Sequence, residues 1–409
     1  MPNNLPFNWC ECKLVDTCDV YQPKTISTKE LVEDGKYTVY GANGIIGRYN
    51  QYNHENSEIL ITCRGATCGT INKSKPFSWI NGNAMVVHPF IKISSDFLFY
   101  YLNSVNFKPY ISGSAQPQIT RISLQPLSLP LPPLAEQERI VEKIEALFAD
   151  IDEGVERLKS AQAQIKQYRQ SVLKFAFEGK LYKTTDWKEV QLKDVCDVRD
   201  GTHDSPKYVD NGYPLVTSKN LKNGKITTNN LKYITEADYN KINERSQVEI
   251  GDVLFAMIGT IGNPVVIVYP VNYAIKNVAL LKKSKIILPF FIKYFLDSTY
   301  VQKKMLKDAK GSTQKFVPLG YLRNFKIVLP SLPEQQRIVE EIEKRFAVAD
   351  ELEKAVNEGL EKAEKLKQSI LKKAFEGKLV PQDPNDEPAS VLLARIKKEN
   401  QSPTKGRKK

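Results

Sequence analysis

The sequence contains no apolar run long enough to cross a lipid bilayer. The longest apolar stretches, such as IILPFFIKYFL from Ile286, are short and are interrupted by Lys293, whereas a spanning helix needs about 20 apolar residues. Cysteine is also sparse, with six among 409 residues, and no signal-like apolar segment precedes them. We therefore expect a cytoplasmic protein of the reducing cytosol that has no contact with a membrane.

The motifs of nucleotide, metal and nucleophile sites are missing as well. No stretch has the form G-x-x-x-x-G-K-[ST] of a triphosphate loop, and MIGTIGN from Met257 follows the strand-like DVLFA, which predicts a strand-to-strand turn. The candidate metal ligands are Cys10 with Cys12 and Cys18, and Cys63 with Cys68 and His54 or His88. Neither set has the paired C-x2–4-C spacing of a structural zinc site. We expect no metal site, cofactor site or catalytic residue in this chain.

Basic residues are abundant and unevenly placed. The chain has 59 Lys and Arg against 47 Asp and Glu, a formal charge of +12. Basic minus acidic residues give 11 − 9 for 1–131, 8 − 9 for 132–181, 23 − 14 for 182–330 and 17 − 15 for 331–409. The excess of nine in the third segment indicates either a polyanion site or a solvated basic surface.

The sequence repeats itself at a constant offset. FAFEGKL at Phe175–Leu181 returns as KAFEGKL at Lys373–Leu379, 198 positions later (175 to 373). At the same offset LAEQERIVEKIEALFADID aligns without a gap on LPEQQRIVEEIEKRFAVAD. WCECKLVDTCDV from Trp9 resembles WKEVQLKDVCDV from Trp187, only 178 positions away (9 to 187). One unit was therefore duplicated, and the globular part of its second copy is about 20 residues longer (198 − 178).

Both helical runs carry an apolar seam. In the first run it comprises Ile140, Ile144, Leu147, Ile151, Leu158, Ala161, Ile165, Tyr168, Val172 and Phe175. In the second it comprises Ile338, Ile342, Ala349, Leu352, Val356, Ala363, Leu366 and Ile370. Alternating steps of four and three residues are typical of a coiled coil. Proline clusters precede both runs and the glycine of EGKL follows them, which predicts helices of roughly 38 residues, about 57 Å long.

The connectivity predicts how the two helices pair. A chain of 409 residues exceeds one hydrophobic core, so two or more globular units are expected. Only YKTTD separates Leu181 from Trp187, so the second unit begins at the far end of the first helix. The second helix pairs in register with the first only by running back. We therefore predict an antiparallel coiled coil with a pseudo-two-fold internal repeat, the symmetry of a reader of two half-sites.

The globular parts are predicted to be α+β. Alternating hydrophobic runs such as NPVVIVYPVNYAIKNVALLKK indicate strands, and FLFYYLNSV and FFIKYFLDSTYVQKKMLK indicate short helices. The predicted domains are therefore residues 1–131 and 182–330, the helical spacers 132–181 and 331–380, and a short helix with a basic tail at 381–409.

The order of these parts resembles the specificity (S) subunit of type I restriction-modification systems. The resemblance covers essentially the whole chain, and its most specific part is the LP-EQ-RIV-I helix start with the AFEGKL helix end, each present twice. YGANGIIGRY from Tyr40, SGSAQPQIT from Ser112, DGTHDSPKY from Asp200 and VTSKNL from Val216 resemble patterns of the family's target-recognition domains.

The resemblance implies a subunit without chemistry of its own. Such a subunit holds two methylation (M) subunits against double-stranded DNA and also engages motor-nuclease (R) subunits in the full assembly. S-adenosylmethionine, ATP and Mg then belong to those partners. The absence of an Asn/Asp-Pro-Pro-aromatic motif, which adenine methyltransferases use, agrees with that division.

Candidate DNA contacts are polar residues on glycine-rich loops. Arg and Lys suit guanine, Asn and Gln suit adenine, and phosphates accept from any Lys, Arg, Ser or Thr. In the first domain the candidates are Tyr40, Asn43, Arg48, Arg64, Gln116, Gln118 and Arg121. In the second domain they are Thr202, His203, Lys207, Ser218, Lys219, Asn220, Ser312, Gln314 and Lys315. The alternative is that the glycines in these stretches only form turns that need positive φ.

Three other interpretations remain open. One is a coiled-coil scaffold with two ligand-binding lobes, and another is an enzyme that carries nuclease or transferase activity itself. The third is a silent or exchangeable S subunit that swaps recognition domains with a sister copy. A salt-dependent affinity for DNA would separate the leading hypothesis from the scaffold.

Overall fold

The computed structural model describes residues 5–90, 93–113, 116–181, 187–311 and 314–401. The chain forms two compact units. Unit 1 comprises residues 1–157 and 359–409, and unit 2 comprises residues 158–358. Each unit therefore contains one globular region together with part of both long helices.

The described residues before 132 in unit 1 form short strands and two short α-helices. The strands are β1 (Cys10–Lys13), β2 (Cys18–Tyr21), β3 (Tyr37–Gly41), β4 (Gly44–Tyr49), β5 (Ile59–Thr62), β6 (Ile71–Lys73), β7 (Ser78–Ile80), β8 (Ala84–Pro89) and β9 (Ser128–Leu131). The short helices are α1 (Ser95–Ser104) and α2 (Arg121–Leu124). A long helix, α3 (Leu134–Phe177), begins in unit 1 and continues into unit 2.

The strands of unit 1 form two sheets and a ribbon. One sheet has the antiparallel order β2-β8-β5-β6, the other has the order β4-β3-β7 with β3 and β7 parallel, and β1 pairs with β9. All four residues of β5 are buried, as expected for an apolar strand covered on both faces. The buried face of α1, which includes Phe97 and Tyr101, completes the main core.

Unit 2 contains the corresponding elements and several more. Its strands are β10 (Lys188–Gln191), β11 (Val198–Asp200), β12 (Tyr208–Val209), β13 (Tyr213–Thr217), β14 (Leu221–Lys222), β15 (Lys225–Ile226), β16 (Lys232–Ile234), β17 (Val253–Ala256), β18 (Gly262–Val266), β19 (Ala274–Lys276), β20 (Val278–Leu281) and β21 (Lys326–Leu329). Its short helices are α4 (Leu192–Val195), α5 (Glu236–Ser246), α6 (Pro289–Asp297), α7 (Thr299–Asp308) and α8 (Leu319–Arg323).

The sheets of unit 2 repeat those of unit 1 with additions. The order β11-β20-β17-β18 matches the four-stranded sheet of unit 1, and β10 pairs with β21 as β1 pairs with β9. The second sheet has the order β12-β16-β13-β19 and so gains an edge strand, β12, while β14 and β15 form a separate hairpin. The longer second copy predicted from the sequence therefore enlarges this part of unit 2.

Two further helices complete the chain. The second long helix is α9 (Leu332–Phe375), and α10 (Ala389–Gln401) follows it. Both α3 and α9 contain 44 residues, which is longer than predicted because each begins within its proline cluster, at Leu134 and at Leu332. The Ala389, Leu392 and Ile396 side chains of α10 join the main core of unit 1, so the short helix predicted within 381–409 packs on unit 1.

The two long helices pack together as an antiparallel coiled coil. Within unit 2, Arg169 of α3 contacts Asp350 of α9 at 2.5 Å, and Gln162 donates to Asn357 at 3.3 Å. Moving seven residues back along α3 therefore moves the partner seven residues forward along α9. The predicted antiparallel pairing is confirmed.

The seam of the coiled coil differs from the predicted one at four of its 18 positions (10 + 8). Leu352 and Leu366 of α9 are exposed, as are Tyr168 and Phe175 of α3. The residues that follow each of them, Glu353, Lys367, Arg169 and Ala176, are buried or half-buried instead. Those four apolar residues were therefore wrongly assigned to the seam.

Charged side chains occupy the seam because they cover aromatic rings. In unit 2 the Arg169 guanidinium lies 5.1 Å from the Phe346 ring centroid, a cation–π distance. In unit 1 the Lys367 ammonium lies 5.0 Å from the Phe148 centroid and 2.6 Å from Asp152. These residues stand at the repeat offset of 198, so the pseudo-symmetry extends to individual contacts.

The most specific motif of the sequence is a packing motif. Gln137 of LAEQERIV and Gln335 of LPEQQRIV are buried in the first turns of their helices. Gln335 donates to the Pro330 carbonyl at 2.9 Å and accepts from the Leu288 backbone amide at 2.8 Å. Gln137 makes the corresponding bonds to Pro132 and Ser94. Each glutamine fixes the start of a long helix against its own globular region.

The predicted glycine caps are confirmed. Gly179 and Gly377 have φ of +71° and +68°. Lys180 N donates to Phe175 O at 2.9 Å, and Lys378 N donates to Lys373 O at 2.8 Å. These are the long bonds of a Schellman motif, which ends a helix through a left-handed residue.

Candidate nucleic-acid interface

In unit 1 the turn after β5 is bonded to the loop that precedes α2. Gly65 N donates to Pro117 O at 3.0 Å, and Ile119 N donates to Cys63 O at 3.1 Å. Ser112 and Gln118 exchange two backbone bonds of 2.8 Å. This arrangement of residues 63–65 with the described residues of 112–121 is the bridged loop of unit 1.

Unit 2 contains the same arrangement after β17. Gly259 N donates to Lys315 O at 3.0 Å, and Val317 N donates to Met257 O at 2.9 Å. Lys310 and Phe316 exchange two backbone bonds of 2.9 and 2.8 Å. Residues 257–259 with the described residues of 310–317 are therefore the bridged loop of unit 2, and MIGTIGN is a strand-to-strand turn as predicted.

Each bridged loop requires glycine at one position. Gly113 and Gly311 have φ of +84° and +97°. A Cβ at Gly113 would lie 2.6 Å from the Gln116 carbonyl oxygen, and one at Gly311 would lie 2.3 Å from the Gln314 carbonyl oxygen. The glycines are therefore structural, and they position the glutamine that follows each of them.

The bridged loops present most of their candidate residues to solvent. Arg64, Gln116 and Arg121 are exposed in unit 1, and Gln118 is half-exposed. Gln314 and Lys315 are exposed in unit 2. Ser312 lies outside the described residues. Equivalent loops with exposed Arg, Lys and Gln side chains fit contacts to base edges and phosphates.

The β3–β4 hairpin contains three candidates in different settings. Asn43 is exposed at the hairpin turn and accepts from Asn72 Nδ2 at 3.0 Å. Arg48 is exposed, but its guanidinium donates to the carbonyls of Gly35 and Lys36. Tyr40 is buried in a small apolar cluster. The ring of Tyr40 packs beneath β5 and β8 in the core, and a contact of this residue with DNA stays a prediction.

The VTSKNL turn of unit 2 separates its residues in a similar way. Asn220 is buried, accepts from Thr217 N at 3.0 Å and donates to Thr227 O at 3.2 Å. Ser218 is buried and donates to Asn277 O at 2.7 Å. Their side chains hold the turn, and a contact of either one with DNA stays a prediction. Lys219 lies between them and is exposed.

His203 belongs to a polar cluster near the same turn. Its Nε2 lies 2.7 Å from Asp200 Oδ2, and its Nδ1 lies 2.9 Å from Asn277 Oδ1. Thr202 and Lys207 line a neighbouring cleft of about 360 Å³. Thr202 is half-buried and its amide donates to Ile275 O at 3.0 Å, whereas Lys207 is exposed.

An open cleft of about 770 Å³ brings several candidates of unit 2 together. Lys219, Ser218, Asn220 and Gln314 line it, although the two stretches are almost a hundred residues apart. Further lining residues that sequence reasoning missed are Tyr208, Lys222, Asn229, Asn230, Lys232, Lys276 and Asn277. They come from separate strands and turns, so no local motif marks them.

The cleft has the electrostatic character of an anion site. Four lysines line it, and no Asp or Glu does so among the residues that the structure describes. The Lys232 ammonium lies 4.3 Å from the Tyr208 ring centroid, which places an aromatic face beside the positive charge. In the sequence, the excess of basic residues in 182–330 was the signal that pointed to this cleft. The cleft favours a polyanion site over a solvated basic surface.

The cysteine and histidine side chains have structural surroundings. Burial raises the pKa of Cys18 and of Cys196 to about 12, so neither thiol is poised to act as a thiolate nucleophile. Burial also lowers the pKa of His54, which bonds to Tyr21 and Asn53 at 3.0 and 2.7 Å. Within the described ranges no group of three or more His, Cys, Asp or Glu residues could hold a metal ion. The described helices also include none long and apolar enough to span a membrane.

The comparison with solved structures supports the fold. A chain of the structure described as "Structural basis underlying complex assembly and conformational transition of the type I R-M system" superimposes with a TM-score of 0.68 at 22% identity. The match covers 92% of this chain and 100% of that chain. The arrangement of elements is therefore shared with that chain.

The comparison with protein sequences identifies the family. The "Type I restriction modification DNA specificity domain" matches twice, at residues 6–160 and 184–362. The Escherichia coli "Type I restriction enzyme EcoBI specificity subunit" is 30% identical over 332 residues, covering 73% of this chain and 69% of that protein. The EcoKI specificity subunit of strain K12 is 29% identical over 353 residues, covering 77% and 74%. The two family matches fall on the two copies of the internal repeat, and the chain belongs to the type I restriction-modification DNA specificity family.

Proposed function

We propose that each unit of this specificity subunit reads one half of a bipartite, asymmetric DNA target. The lysine-lined cleft of unit 2, which has no carboxylate among its described lining residues, is the observation that carries the proposal. Four ammonium groups facing one cleft suit a phosphate backbone. The bridged loop beside it adds the exposed Gln314, which suits a base edge.

Two different readers on one chain imply two different half-sites. The bridged loops of the units share their backbone bonds but present different side chains. Discrimination against roughly a million competing sites needs about 8 kcal/mol, while one base pair supplies about 1–3 kcal/mol. Two half-sites together supply that difference more readily than one small domain.

The long helices are proposed to set the spacing and to dock two methyltransferase subunits. Both α3 and α9 run through the two units, so their length fixes the spacing between the half-sites. The paired helices also expose Tyr168, Val348 and Leu352 in unit 2. Exposed apolar side chains on a helix pair mark an interaction surface. At the repeat offset of 198, Tyr168 corresponds to the exposed Leu366 of unit 1, so two copies of one partner could each meet one of these positions.

The chemistry is assigned to the partners. S-adenosylmethionine would be bound by the methyltransferase subunits, and ATP with Mg by the restriction subunits of the full complex. This chain would contribute recognition alone, which is consistent with buried cysteines of raised pKa and with His54 held in a structural cluster.

A long-read methylome of the host with and without this gene tests the proposal. We expect one asymmetric motif, two short halves around a nonspecific gap, to lose its methylation when the gene is deleted. Restoring the gene on a plasmid should restore the same motif. An unchanged methylome would contradict the proposed function and favour a silent subunit or a scaffold.

A further inference from the structure

The bridged loops place two side chains opposite each other in each unit. Arg64 faces Gln118 across an antiparallel bridge in unit 1, and Ile258 faces Phe316 across the equivalent bridge in unit 2. Residues directly opposite each other in an antiparallel pair have their Cβ atoms about 4.5–5.5 Å apart on one face. Each unit therefore presents one adjacent pair of side chains at the same place.

The chemistry of this pair changes while its backbone does not. The bond from the turn glycine to the loop carbonyl measures 3.0 Å in both units. Arg64 and Gln118 are hydrogen-bonding side chains, whereas Ile258 and Phe316 can offer only apolar contact. The two copies of this position therefore keep the same backbone hydrogen bonds but can recognise different chemical groups.

The apolar pair of unit 2 lies at the candidate interface, with Ile258 half-buried against the main core of unit 2. Phe316 is 37% exposed, although burial of its ring would stabilise the fold. Ile258 lines the lysine cleft together with Lys219 and Gln314. Apolar side chains do not bind phosphates, so their ligand in this cleft is a different group of the nucleic acid.

The one apolar group on the base edges of the major groove is the 5-methyl of thymine. We propose that Ile258 and Phe316 recognise a thymine methyl in the half-site of unit 2, where Arg64 and Gln118 hydrogen-bond a purine in the half-site of unit 1. This inference rests on the proposed function, because it requires both bridged loops to face DNA.

Replacement of thymine by deoxyuridine tests the inference with the unaltered protein. The purified complex with its methyltransferase subunits is titrated with duplexes in which each thymine of the target is replaced in turn. At one thymine we expect the affinity to fall roughly fourfold, which corresponds to about 0.8 kcal/mol for one methyl group. Uniform affinity across all replacements, or a target without thymine in either half, would overturn the inference.

Variants connect the methyl group to the side chain. With Phe316→Ala the sensitive duplex and its thymine parent should bind equally, since the group that senses the methyl is gone. Tyr269→Ala is the control, because Tyr269 is 76% exposed in the loop beyond the far end of β18, and it should keep the fourfold difference. If Phe316→Ala also kept the difference, the methyl would be read elsewhere.

A scrambled duplex distinguishes a failure of the proposed function from a failure of the thymine assignment. A complex that binds the target and the scrambled duplex equally would contradict the proposed function itself. A complex that prefers the target but ignores every methyl deletion would contradict only the assignment of Ile258 and Phe316.

Discussion

Neighbouring side chains of the 217–220 turn have opposite roles. Asn220 is buried and bonded to Thr217 and Thr227, whereas Lys219 is exposed on the lysine cleft. We therefore expect a substitution of Asn220 to change the stability of the fold and a substitution of the adjacent Lys219 to change the affinity for DNA.

Lys219→Gln should weaken DNA binding without lowering stability. Removing one phosphate contact should reduce the slope of log K against log salt by about 1. Asn220→Ala should instead cost about 1–3 kcal/mol of stability, because it leaves the Thr217 amide and the Thr227 carbonyl without their partner. Salt titrations and thermal melting measure the two effects. A Lys219→Gln variant with an unchanged salt slope would remove Lys219 from the interface.

His54 should make unit 1 less stable in mild acid. Burial lowers its pKa in the folded protein, the nearby Glu58 opposes that shift and His88 adds to it. Because the folded pKa lies below the unfolded value, the unfolded chain binds more protons, and stability falls as the pH drops below about 6.5. Urea unfolding at pH 7.5 and pH 5.5 should show a smaller loss for His54→Gln than for the parent protein. Equal losses would show that His54 does not contribute.

At the scale of elements, the two long helices are held by fewer apolar residues than their sequence suggests. Ile342 of α9 is fully buried, whereas Leu352 is 53% exposed. Both belong to the predicted seam, so they form a matched pair for testing the observed packing.

Ile342→Ala should cost about 2–5 kcal/mol, because it removes buried methyl groups and leaves a cavity. Leu352→Ala should change the stability of the isolated subunit by less than about 0.5 kcal/mol. Thermal or urea unfolding of the two variants measures the difference. Similar destabilisation by both would restore the seam predicted from the sequence.

Periodicity predicts the existence and length class of these helices, and connectivity predicts their antiparallel order, but four of the 18 predicted seam positions are exposed. A pattern of apolar residues does not show that Arg169 and Lys367 cover Phe346 and Phe148 with their long side chains. The glycine caps and strand turns were predictable because they depend on local backbone conformation. The lysine cleft was not, because Lys222, Lys232 and Lys276 come together only through sheet pairing.

At the scale of the whole molecule, exchange of one recognition region should change one half-site. Residues 1–131 replaced by the same segment of another family member should alter one half of the methylated motif and leave the other half and the spacing intact. The exchanged segment must keep aromatic residues at 97 and 101, because Phe97 and Tyr101 pack edge-on against Phe375 of α9. A methylome of the hybrid strain measures the result. Changes in both halves would contradict independent reading by the two units.

The division of the chain between the units has a consequence for its synthesis. Unit 2 is one continuous segment, 158–358, whereas unit 1 joins residues 1–157 to residues 359–409. The core of unit 1 includes Ile370, Phe375 and Leu392, which leave the ribosome after all of unit 2. Residues 1–157 are therefore synthesised before the segment that completes their core, and we expect unit 2 to fold during translation before unit 1 is complete.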